Sequence, residues 1–83
     1  ALFPEALRAA ITLWRNGTTE SKALIDSAYA VLALDPAIDV QYISIVRSGT
    51  MDQVNIVNEH DVIIAAVVID GIRLIDNMQF STV

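Results

Sequence analysis

A chain of 83 residues has room for one hydrophobic core, and a composition 54% hydrophobic and 18% charged, with 3 Gly and 2 Pro, belongs to a folding domain. Ten acids against 5 bases leave a formal net charge of -5, which opposes binding to nucleic acid or an anionic membrane surface. The absence of cysteine removes disulfides, thiolate nucleophiles and thiolate zinc sites together, and an intracellular, cytoplasmic setting is expected.

Phe3, Leu7, Ala10, Ile11 and Trp14 recur at helical spacing and predict an amphipathic helix over residues 4–16. Pro4 and Glu5 suit its first turn, Arg15 its last, and Asn16-Gly17 its end. Thr18 and Thr19 are candidate N-caps of a second helix, with Glu20 in its first turn and Leu24, Ile25, Ala28, Val31 and Leu32 on its apolar stripe. Pro36 is expected to stop it.

The period then changes. Val40 to Val46 is rich in β-branched and aromatic residues and reads as a strand, with Tyr42 and Ile43 on opposite faces. Ser48-Gly49 marks a turn, and Met51 to Val57 a short strand or irregular crossing. Val62 to Ile69 is an apolar run of eight residues, far short of the roughly 18 that span a membrane. Followed by Asp70-Gly71 and Ile72 to Ile75, it predicts a β-hairpin. No signal-peptide pattern opens the chain, and a start at Ala1 without Met points to a piece of something longer.

The first 34 residues hold three acids and three bases and the remainder seven acids and two bases, so the net charge lies in the second half. Two helices followed by about three strands give an α+β fold, a single domain over 1–83 with both helices on one face of a small antiparallel sheet.

Few residues can carry chemistry. His60 is alone, flanked by Glu59 and Asp61 where a loop meets a strand; a solvated loop is the ordinary reading, and a carboxylate-only magnesium site at Glu59 and Asp61 the less ordinary one. Gly17, Gly49 and Gly71 form no phosphate-cradling loop, and no serine sits in a nucleophile elbow. Phe3, Trp14, Tyr29, Tyr42 and Phe80 read as packing. No residue is nominated as catalytic, cofactor-binding or metal-ligating.

The most distinctive run is Arg73-Leu74-Ile75-Asp76-Asn77. Its expected role is structural: Leu74 and Ile75 fill the sheet, Arg73 pairs with a nearby carboxylate, and Asp76-Asn77 end the strand by bonding their own backbone. In order, Ala65-Ala66, Gly71 and Arg73 to Asn77 resemble the C-terminal domain of the pantothenate synthetase, or pantoate-β-alanine ligase, family. Ala6 to Ala10 is similar to that family's first helix of the domain, and Val40 to Val46 to its valine, x, tyrosine strand. Two places depart from the pattern: Arg47-Ser48 stands for an Asp-Pro pair, and Asp70 for a glycine that comes one residue later.

The resemblance implies that a parent enzyme, with ATP and magnesium, converts pantoate to an enzyme-bound adenylate that β-alanine attacks to give pantothenate and AMP. It also implies a homodimeric parent whose N-terminal Rossmann-like catalytic domain, absent here, carries the nucleotide-binding motifs. This chain would be the hinged lid over that domain, inactive alone. The rival reading is a free-standing α+β interaction or dimerisation module, argued from the high apolar fraction.

Overall fold

A computed structural model describes residues 1–81. Helix α1 spans Leu2–Arg15 and α2 Ser21–Leu32; strands β1, β2 and β3 span Asp39–Arg47, Asp61–Ile69 and Ile72–Gln79. The strands form one antiparallel sheet in the order β1-β2-β3, which agrees with the α+β reading.

The α1 stripe buries Phe3, Leu7, Ala10 and Ile11 as its spacing demands, and Ala6 with them. Trp14 stays half-buried at the end of the stripe. Its indole N–H donates to the Val57 carbonyl at 3.0 Å, and its ring meets Phe80 edge-on at 5.6 Å between centroids. Such an arrangement gives a large aromatic both an apolar neighbour and a partner for its polar tip.

The start of α2 differs from expectation. Neither Thr18 nor Thr19 caps it; Glu20 is the N-cap residue and makes no side-chain bond to the helix end. Residues 19–21 instead lie antiparallel to 55–57, with Val57 N–H donating to Thr19 O at 2.9 Å and Ser21 N–H to Asn55 O at 2.8 Å. Tertiary backbone pairing has replaced the local hydroxyl cap. At its other end α2 stops at Leu32, where Leu34 and Asp35 N–H groups close tighter turns onto Val31 and Leu32 before Pro36 is reached.

Strand β1 contains an irregularity between Val40 and Tyr42, so Gln41 has no partner on β2. The extra residue keeps Val40 on the same face as Ile43 and Ile45, opposite Val67, Ala65 and Ile63 of β2. Those side chains, with Leu24, Ala28 and Leu32 of α2 and the α1 stripe, make the core. Residues 51–57 form the irregular crossing, paired with the rest of the fold through isolated bridges from Gln53 to Val46 and Ile56 to Glu20 and anchored by Val57 in the core.

Between β2 and β3 the chain reverses through Asp70 and Gly71, at φ of 52° and 76°. Two consecutive left-handed residues match the right-handed twist of the flanking strands, and Asp-Gly is the dipeptide that tolerates them. A Cβ at Gly71 would meet nothing within 4 Å. Gly71→Ala is therefore expected to cost about 1 kcal/mol through backbone conformation alone. The check is a urea midpoint that falls with no change in the m-value.

Candidate functional site

Among the described residues, strand β2 alone has neighbours on both sides, and its two faces meet different surroundings. Ile63, Ala65 and Val67 face the helices. Val62, Ile64, Ala66 and Val68 face the other way, in register with Val46, Ser44, Tyr42 and Asp39 on β1 and with Gln79, Asn77, Ile75 and Arg73 on β3. Neither helix covers this second face, since the core cluster draws only on the first. Ala66 is nevertheless fully buried between Tyr42 and Ile75, while Ile75 itself is 60% exposed.

The Arg73 to Asn77 run thus lies on an edge strand. Leu74 and Ile75 do not fill the sheet: Leu74 points toward the helix side beyond the reach of α1, which meets only part of β3, and is 40% exposed. Arg73 finds an amide instead of a carboxylate. Its Nε–H crosses the central strand to donate to Gln41 Oε1 at 2.7 Å, so the two edge strands are joined over the open face through the bulged residue. Asp76 and Asn77 do not end the strand, which continues to Gln79. Asp76 Oδ1 accepts the Asn77 N–H at 2.8 Å, occupying an edge donor that another strand would otherwise seek.

The Glu59-His60-Asp61 group is not a solvated trio. Glu59 and His60 are exposed and lie 3.4 Å apart, but Asp61 is 0% exposed. Its Oδ2 accepts the Asn58 N–H at 2.8 Å, and its Oδ1 stands 3.5 Å from Arg47 Nε, an ion-pair distance with no well-aligned hydrogen bond. Alternation sets this outcome: Asp61 begins β2 on the face that Ile63 continues into the core. A magnesium ion needs several converging oxygens. With Asp61 committed inward and Glu59 outward, and no group of three or more His, Cys, Asp or Glu among the described residues, these side chains do not fit that ion. Tyr29 also departs from the packing role, at 41% exposed on α2.

Two variants separate the buried carboxylate from the surface arginine. Asp61→Ala should cost roughly 2 to 3 kcal/mol by orphaning the Asn58 N–H and the loop it holds, and Arg47→Ala only about 1, since its side chain is half in water. Chemical denaturation of both variants checks the order. Arg73→Ala, which removes one exposed bond to a neutral amide, should shift stability by no more than about 0.5 kcal/mol. Thermal melting measures it, and a loss above about 1 kcal/mol would give Arg73 a structural weight that its exposure does not.

Among the described residues no helix is long and apolar enough to cross a membrane. The model of the pantoate-beta-alanine ligase family matches residues 2–79. The chain is 32% identical over 73 residues to a bifunctional pantoate ligase/cytidylate kinase of Synechococcus elongatus, covering 88% of this chain and 14% of that protein. It is 31% identical over 77 residues to a pantothenate synthetase of Sulfurihydrogenibium sp., covering 92% of this chain and 28% of that protein. The crystal structure of pantothenate synthetase from Thermus thermophilus superposes with a TM-score of 0.87 at 22% identity, over 95% of this chain and 28% of that one, and has the same fold. The chain therefore spans about a quarter or less of these relatives, and the stretch from Leu2 to Gln79, helices and sheet together, belongs to the pantoate-β-alanine ligase family.

Proposed function

We propose that this chain is the C-terminal lid domain of a ligase that joins pantoate to β-alanine. The observation that carries the reading is the family match along nearly the whole chain, set against the small share of each relative that the chain covers. The titratable groups support a lid over a catalytic one, because they are dispersed or committed to one another. In this reading the remainder of the parent binds ATP and magnesium. Pantoate's carboxylate attacks the α-phosphorus, pyrophosphate leaves, and the amine of β-alanine then displaces AMP from the acyl carbon. Residues 1–83 supply closure, which keeps water from an adenylate that hydrolyses readily.

The uncovered sheet face around Tyr42, Ile64, Ala66 and Ile75 is the surface we assign to the N-terminal catalytic domain, its apolar centre flanked by Arg73, Gln41 and Asn77. A cytoplasmic, homodimeric parent belongs to the same family-based reading. The Arg73 to Asn77 run then shapes the rim of that contact and takes no part in chemistry.

The test is the ratio of pantothenate to AMP made by the N-terminal domain with and without residues 1–83 attached through the native linker. Without the lid, ATP should still be consumed while pantoate and AMP are released in place of pantothenate, and the 83-residue chain alone should turn nothing over. Equal ratios at equal folded concentration would remove the lid role and favour an interaction module.

A further inference from the structure

Of the asparagines at 16, 55, 58 and 77, only Asn16 is followed by glycine. That pair is the one whose side-chain amide is chemically labile. The main-chain nitrogen of the next residue can attack the asparagine Cγ, expelling ammonia and closing a five-membered succinimide, which water then opens at either carbonyl to aspartate or isoaspartate. Glycine favours the attack because no side chain obstructs its nitrogen. Asn16 is also exposed, so neither water nor the departing ammonia is hindered.

The folded geometry opposes this reaction twice. Ring closure needs the Gly17 nitrogen eclipsed with Asn16 Cβ, whereas at a ψ of 5° that nitrogen eclipses the Asn16 main-chain nitrogen instead. The attacking nitrogen must also release its proton, and Gly17 N–H donates that proton to Trp14 O at 3.0 Å. Thr18 N–H donates to Leu13 O at 3.2 Å, so both bonds of a Schellman closure lock the end of α1, with Gly17 at a φ of 112°. The last turn is in turn fastened to the fold by Trp14, through its indole bond to Val57 O and its edge-on contact with Phe80.

We propose that Asn16 is a deamidation site gated by the docking of α1, silent while the last turn is closed and converted to aspartate and isoaspartate when it opens. One water is consumed and one ammonia released, with no other reactant. The product does not return to the starting state: a new carboxylate lies at the negative end of the helix dipole, and isoaspartate lengthens the main chain by one carbon within the closing turn. The site therefore records, irreversibly, each chain whose α1 has come loose.

The experiment holds the chain near neutral pH, folded in buffer and unfolded in guanidinium chloride, and samples it over time. Cleavage after Glu5 and Glu20 in mild acid releases residues 6–20, in which mass spectrometry measures loss of the amide. Asn16 should react at least about tenfold more slowly in the folded chain. Trp14→Phe keeps a ring beside Phe80 and loses the bond to Val57, and should speed the folded reaction about threefold or more. Gly71→Ala, which weakens the distant hairpin, should leave the Asn16 rate unchanged. Deuterium exchange at Gly17 N–H should rank the three chains in the same order. Equal rates folded and unfolded, no acceleration in Trp14→Phe, or equal acceleration in Gly71→Ala, which would make global unfolding the gate, would each overturn the proposal.

Discussion

Asp61 is where three separate pieces of the chain are held in one arrangement. Its main-chain N–H and its Oδ2 form a reciprocal pair with the carbonyl and N–H of Asn58, which fixes the turn before β2. Its carbonyl accepts the Phe80 N–H at 3.0 Å, which brings the end of β3 back to the beginning of β2. Its remaining oxygen faces Arg47, its register partner at the end of β1. A carboxylate taken fully out of water is tolerated only where such partners gather. With Phe80 set in place, Trp14 has a ring to pack against, and the Trp14 indole in turn holds Val57 and the crossing that pairs with the start of α2.

The sheet built on that anchor is asymmetric by construction. Two helices suffice to cover the face of Ile43, Ile45, Ile63, Ala65 and Val67, and α1 meets only part of β3. On the other face, small Ala66 at the centre lets Tyr42 and Ile75 approach, and the Arg73 to Gln41 bond spans the surface without burying it. A layer of apolar β2 side chains with no helix laid over it among the described residues suits a domain that packs against a further body, which agrees with a chain that spans 28% of a relative's length.

The start of α2 is closed by a distant segment of the chain and not by its own residues. Where a serine or threonine side chain would ordinarily cap it, residues 55–57 pair with 19–21 and satisfy one donor only. The Lys22 and Ala23 N–H groups, left without a protein partner among the described residues, are by-products of that route.

The elements themselves were legible in the residues because their causes are local. A 3.6-residue stripe from Phe3 to Trp14, a β-branched run from Val40 to Val46, and an Asp-Gly turn each act within a few positions, and all three appear where they are expected. The family, too, was readable from short strings such as Ala65-Ala66 and Arg73 to Asn77. What the residues alone did not decide depends on contacts between distant segments. Asp61 looks like one of three solvated charges until the sheet register turns it toward the core. Leu74 and Ile75 look like core until β3 proves to be an edge. Thr18 and Thr19 look like caps until a segment far along the chain, residues 55–57, takes over their work. Periodicity fixes which side chains share a face, but only the assembled layers determine which faces are covered, because coverage is a property of neighbours that the local chain does not contain.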